Sequence, residues 1–547
     1  MAARKKGVVA VVVAAASALT APLLAQTPAV AQARPPHQQG DVRHDHRDRE
    51  RGVPALPLGS AQLEQTVTEQ ALAPGVRLTT ITRGHGSAAD SWVLRSLQPS
   101  RAAADALAAR LRAASPDPGA HPTSVRRIDQ RAADDPSRGP LGYLVVSAGY
   151  PSEAGAKQAQ ASLAGAGITG LGVSNTALYE PHATGPWVVR ALTVDHRHLR
   201  QVRAHLATDI VPGRETTSSV ANRIGALAAV NGGYFVVGSA DGVPGDPAGV
   251  AVQDGWFDSE AVADRAALIL NPKRSAIAAV TTRLQVRATD GSVHAVAGLD
   301  RRVGQIRDCG EPGDLPTVAA QQDITCTNPD EIVSFDSAFG RSAEPGPGAA
   351  ATVDGHGRVI GLATQRGGDI PAGGRVLEGI GAGASWLRAH AHLGQRLAVV
   401  TNLGADGRPL RLTPDTGIVN GGPFLVRNAH VAIDAFHEGF VHPDDPGFYY
   451  AFAVSRNPRT MAGITEDGDL LLVTVDGRNP GYSIGLSFAE QARVMQALGS
   501  RVALNLDGGG STTMVASGAL LGRPSDSTGE RPVGDVIAVL TARRRDS

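Results

Sequence analysis

The sequence predicts an α+β protein: a large mixed-sheet domain over 185–547, preceded by a small β-α-β-β-α-β module over 89–182. Three observations predict it. Two stretches in the first third repeat a pattern of one strand followed by an Ala/Leu-rich helix. From 185 onward, short Val/Ile/Leu/Ala runs alternate with Gly-, Asp- and Asn-rich turns, the texture of a sheet. At 547 residues, the chain is also too long for one core.

Composition narrows the function classes. Lys+Arg and Asp+Glu each number 52 and aromatics make up 4% of residues, so no nucleic-acid footprint and no acidic tail shows. The basic Arg4, Lys5 and Lys6 precede an apolar stretch over 7–24 and a small-residue site at Ala31-Gln32-Ala33. Residues 1–33 therefore read as a secretory signal peptide, placing the chain outside the cell or at the cell wall. A retained anchor is the alternative, but the apolar stretch is short for a stable span. Cys309 and Cys326 fit that compartment: in an exported chain they can pair, worth about 3 kcal/mol by chain entropy. Two free thiols are the other reading.

Residues 34–88 read as a partly disordered linker, because 34–59 is rich in Pro, Gln, His, Asp and Arg; His44 and His46 are more simply solvated there than metal-bound. In the module, "SWVLRSLQPSRAAADALAARLRAA" is a strand, a Pro-Ser start and a helix. "GYLVVSAGYPSEAGAKQAQASLAGAG" repeats it with Ser152 as N-cap. "SVRRIDQRA" and "LGVSNTALY" supply the remaining strands, in the order of a ferredoxin-like split unit. The module resembles the sporulation-related repeat, which implies a peptidoglycan or cell-wall glycan partner. A plain packing domain explains the same letters.

The large domain's strands are "VVRALTVD", "IGALAAVN", "AALIL", "RLAVVTNLG", "LLLVTVDG", "RVALNLDG" and "DVIAVLTA". Its clearest helix is "SFAEQARVMQALG": Ser487 caps it, Glu490 completes a capping box and Gly499 ends it. Three strands end in a short polar side chain followed by glycines: Asn231-Gly232-Gly233, Asn420-Gly421-Gly422 and Asp507-Gly508-Gly509-Gly510. Each could be an ordinary hairpin turn. Three together, the last followed by Ser511, Thr512 and Thr513, point instead to a site. Consecutive glycines let backbone amides converge on an anion, and alternation puts Asn505 and Asp507 on one strand face. Arg459 offers a fixed two-pronged donor for phosphate oxygens. Asp476 and Arg478 could join the site or pair with each other.

"PRTMAGITEDGDLLLVTVDGR", "GLSFAEQARVMQALGSRVALNLDGGGSTTMV" and "RPSDSTGERPVGDVIAVL", with the shorter "AVNGGYF" and "NGGPFLV", resemble the phosphodiester glycosidase family across 185–540. The cysteine-bearing segment around 301–330 looks like an insertion. The resemblance implies hydrolysis of a sugar-1-phosphodiester to free sugar and phosphomonoester. Because a phosphate leaves more readily than an alkoxide, the work shifts from acid catalysis to charge neutralisation. Arg459, the amides of Gly508, Gly509 and Gly510 and the hydroxyls of Ser511 and Thr512 would supply it. Asp507 would stabilise the oxocarbenium-like centre, act as base, or act as nucleophile; Asn231 and Asn505 would hold sugar hydroxyls or the water. Gly232, Gly233, Asn420 and Gly421 would complete the binding surface. No cofactor is certain; Asp507, Asp476 and Asp535 are hard oxygen ligands that could hold Ca²⁺. Two rivals stand: a non-catalytic binder of cell-wall glycan or teichoic-type polymer, and a phosphodiesterase that cuts phosphorus–oxygen bonds.

Overall fold

The computed structural model describes residues 53–115 and 117–541. The expected signal peptide and most of the His- and Arg-rich stretch lie outside the described residues. The described chain is mixed α/β, with strands far outnumbering helices.

The central element is an antiparallel sheet of eight strands. In spatial order these are Gln65–Ala73, Val76–Arg83, Trp187–Val194, Leu470–Val475, Arg459–Thr465, Ser500–Asn505, Phe424–Arg427 and His430–Val431. Both of its faces are covered, which explains the near-continuous apolar runs in its middle strands. Leu192, Leu472 and Leu504 point into one core, shared with Val230 and Ile537 of a five-stranded sheet and Leu268 of a third sheet. Val189, Val473 and Ala503 point into the other, beneath Ala492, Val494 and Met495 of the helix Phe488–Ala497. That helix carries the expected capping box, and Gly499 follows it at φ +90°.

Two of these strands correct the linker reading. Gln65–Ala73 and Val76–Arg83 form a hairpin whose second strand pairs with Trp187–Val194 over eight residues, Val76 to Arg83. The segment's polar outer strand conceals this: its side chains lie mostly exposed at the sheet edge, so composition alone reads as linker.

The module runs Trp92–Gln98, helix Arg101–Ala114, Thr123–Ile128, Gly142–Tyr150, helix Glu153–Gly165 and Gly172–Asn175. Its four antiparallel strands lie in the spatial order Thr123–Ile128, Gly142–Tyr150, Trp92–Gln98, Gly172–Asn175. Ser100 and Ser152 cap the two helices through their side chains. One sheet face packs Leu94 and Val145 on Leu107, Leu111 and Ala156 of the helices. The other face is not open. Val93, Leu144 and Val146 pack on Tyr234, Phe440, Tyr450 and Phe488 of the large domain. Arg456 extends the joint: it pairs with Glu490 at 2.7 Å and donates to the carbonyls of Ala177 and Glu180.

Candidate active site

The three polar-glycine turns meet at one place. Asn231 ends the strand Ala226–Asn231 of the five-stranded sheet, and Asn505 ends the strand Ser500–Asn505 of the central sheet. Asn231 bridges the two: its Nδ2 donates to Asp507 O at 2.8 Å, and its Oδ1 accepts from Thr460 Oγ1 at 2.6 Å and Thr513 N at 3.1 Å. Asn505 Nδ2 donates to Tyr234 Oη at 2.6 Å and to the carbonyls of Gly422 and Leu506. Asn420 Oδ1 accepts from Tyr234 N at 2.8 Å. Close approach explains the glycines. A Cβ at Gly232 would sit 2.5 Å from Asp535 Oδ1, one at Gly233 2.6 Å from Asn420, and one at Gly421 2.2 Å from Leu504.

These bonds revise several expected roles. Asn231, Asn420 and Asn505 are buried and bond to the main chain, Thr460 and Tyr234, which braces the turns from behind; Asn505 Oδ1 finds no partner among the described residues. Ser511 and Thr512 are buried as well, and their hydroxyls find no hydrogen-bond partner among the described residues. The Gly508 amide donates to Asp507 Oδ1 at 2.8 Å and the Gly509 amide to Pro458 O at 2.9 Å, so two of the three amides expected to cradle an anion are committed internally. Asp476 does not pair with Arg478. It binds Arg190 at 2.9 Å and Tyr482 Oη at 2.7 Å, away from the cleft, while Arg478 donates to Asn457 Oδ1. The trio offered for Ca²⁺ fails with it. Among the described residues, the one group of three such donors within 4.8 Å of one another is Asp195, His196 and Asp469, at the surface.

Asp507 itself is half-buried in the wall of a cleft of about 1060 Å³, together with Gly508, Gly509, Gly510, Arg459 and Arg478. Burial pushes its carboxyl up to about 6; the Ser511 hydroxyl nearby, the Gly508 amide and the Arg531 charge oppose the rise, and Asp323 adds to it. Asp535 stands behind it, buried, accepting from Gly233 N at 2.9 Å. Burial raises Asp535 to about 7, and the charge of Asp507 contributes. Arg459 is 2% exposed. Its Nε donates to Leu486 O at 2.9 Å and its Nη2 to Phe452 O. Burial draws its pKa down to about 9, still a cation at neutral pH. Gly509 has φ +61°, and a side chain there would press on Arg478.

Sequence reasoning missed much of this cleft. Tyr234 follows the Asn231 turn directly, and its hydroxyl donates to Gly422 O at 2.8 Å. Gln322 and Asp323 reach the cleft from the loop closed by the Cys309–Cys326 disulfide, and Arg307 and Asp308 from just before it. Trp92, Arg95 and Lys157 reach it from the module. Tyr234 lies within the quoted "AVNGGYF"; nothing local marks the others, which long-range packing brings there.

Residues 347–540 match the family described as phosphodiester glycosidase, so the chain carries a domain of that family. The match takes in the turns at 420 and 507 and leaves Asn231 outside. Among curated proteins, the mouse N-acetylglucosamine-1-phosphodiester alpha-N-acetylglucosaminidase is 30% identical over 116 residues. That match spans 21% of this chain and 22% of the mouse enzyme. A crystal structure described as "Putative exported protein" from Burkholderia pseudomallei K96243 is 35% identical with a TM-score of 0.80, covering 90% of this chain and 99% of that one. A hypothetical protein from Synechocystis shares the fold, at 16% identity and a TM-score of 0.50 over 87% of this chain and 80% of its own.

Proposed function

We propose that this protein is an exported hydrolase that cleaves the glycosidic bond of a sugar-1-phosphodiester, releasing free sugar and a phosphomonoester. One observation carries the reading: a single cleft presents Asp507, held near pH 6, beside Arg459 and Arg478, two guanidiniums that no carboxylate among the described residues pairs with. Arg459 is buried and Arg478 exposed; a buried cation without a counter-ion is costly, and a phosphate is the anion whose geometry a guanidinium fits best.

In the proposed reaction the bond between the anomeric carbon and the phosphate oxygen breaks, and its electron pair leaves with the phosphate. Arg459 and Arg478 neutralise that charge as it develops. Water supplies the new anomeric oxygen and gives up one proton. Ionised Asp507 accepts that proton, or stabilises the positive anomeric carbon, or attacks it directly; the carboxylate stands for all three. The buried asparagines keep the turn in place. Support for export comes from the N-terminal pattern and from the disulfide, which belongs to oxidising compartments. The module's ferredoxin-like reading rests on its strand order. Its sheet face is packed against the large domain, so a cell-wall glycan would have to meet its edges or helices.

The test is phosphomonoester release from a panel of sugar-1-phosphodiesters, with Asp507→Asn alongside. Turnover by the unsubstituted protein and its loss, by at least a thousandfold, in a folded Asp507→Asn variant is the expected result. Binding without turnover would instead favour the non-catalytic glycan binder.

A further inference from the structure

We propose that the N-terminal module supplies a second anion subsite, centred on Arg95, so that the preferred substrate carries a further negative group beyond the scissile phosphodiester. The proposal rests on the glycosidase reading for which phosphodiester is cut, and on the charge pattern of the cleft for everything else.

Most cations in the cleft wall are already paired. Arg307 pairs with Asp323, Arg456 with Glu490, Arg531 with Asp526 and Lys157 with Glu153. Three are not: among the described residues no carboxylate pairs with Arg95, Arg459 or Arg478. Arg459 and Arg478 come from the large domain beside Asp507. Arg95 comes from the module strand Trp92–Gln98, a different part of the chain.

Arg95 is also held in place. Its guanidinium carbon lies 5.0 Å from the Tyr179 ring centroid and 5.2 Å from that of Tyr450, and Nη1 donates to Ser455 Oγ at 3.0 Å. A half-exposed cation fixed by two rings and one hydroxyl keeps further N–H donors for a ligand and loses little entropy on binding one. The size of the cleft agrees. At about 1060 Å³ it stands at the top of the range that encloses a whole drug-sized ligand, more than one sugar and one phosphate fill. The substrate class this fits is a sugar-1-phosphodiester whose leaving part bears a second phosphate, as in a repeating sugar-phosphate chain.

Calorimetry with the Asp507→Asn protein, which leaves ligands intact, tests the subsite. The probes are the methyl phosphodiester of N-acetylglucosamine 1-phosphate and a compound joining that sugar phosphate to a methyl mannoside that bears a second methyl phosphodiester. The doubly charged probe is expected to bind about tenfold tighter than the singly charged one. Adding Arg95→Gln should bring that ratio close to one, and Arg95→Lys should restore part of it. Arg101→Gln, on the exposed module helix and paired with Asp105, should leave the ratio as it was. Equal binding of the two probes, or a ratio that Arg95→Gln does not change, overturns the subsite. Turnover of the singly charged probe by the unsubstituted protein is scored separately: its absence with the ratio intact counts against the glycosidase reading and leaves the subsite standing.

Discussion

Asp507 is where the chemistry and the stability of this fold pull against each other. Its carboxyl is raised to about 6 by burial, well above an ordinary aspartate, so the folded state holds a proton that the unfolded chain gives up near pH 4. Below that pH both states are protonated and the shift has no effect on stability. As pH rises through the interval to 6 the fold is progressively penalised, and above 6 the full cost, on the order of 2–3 kcal/mol, is present. Asp507→Asn removes the cost. Urea denaturation should therefore find the variant more stable than the parent at pH 7.5 and nearly level with it at pH 4, a difference that grows upward with pH. Activity should move oppositely. If the ionised form works, kcat/KM falls as pH drops through about 6, and a flat profile between pH 5 and 7.5 would remove this carboxyl from the chemistry.

At the scale of elements, the helix Phe488–Ala497 ties the site to the module. Glu490 completes the capping box with Ser487 and also binds Arg456 in a buried pair, and Arg456 in turn holds the carbonyls of Ala177 and Glu180. Glu490→Gln keeps much of the cap but strips the charge that balances a buried guanidinium. It is expected to cost about 3 kcal/mol, against about 1 kcal/mol for Ser487→Ala, which removes a cap alone. Chemical denaturation of the two variants measures the gap; equal costs would mean the ion pair adds nothing to the joint. The same scale shows what local sequence can convey. Ser487, Glu490 and Gly499 spell out their helix because capping chemistry acts within one turn. Asp467-Gly468 likewise marks the hairpin between Arg459–Thr465 and Leu470–Val475. The strand Gln65–Ala73 carries no such mark: it is an edge strand with solvated side chains, and its one partner, Val76–Arg83, joins the sheet through a strand more than a hundred residues further on.

Across the whole molecule, the legible part of the site was its last turn. Asp507 and the glycines after it stand in the cleft with Arg459, as strand alternation and turn chemistry suggest. The asparagines were legible as site residues but not in their role, because whether an amide faces ligand or main chain is set by strands distant in sequence. Arg95 and Asp323 reach the cleft by tertiary packing that no spacing encodes. The module's second sheet face, covered by Phe440, Tyr450 and Phe488, makes the module part of the fold. Deleting 89–182 would bare that apolar face, and the truncated protein is expected to aggregate or melt well below the parent in calorimetry. A soluble truncation with unchanged melting would show the joint to be dispensable.

The central claim concerns which bond is broken, and ¹⁸O-labelled water reads it directly. Hydrolysis of a sugar-1-phosphodiester by the full chain in that solvent should place the label on the anomeric carbon of the released sugar, with none in the phosphomonoester. Label in the phosphate would mean attack at phosphorus, and the glycosidase account would be wrong.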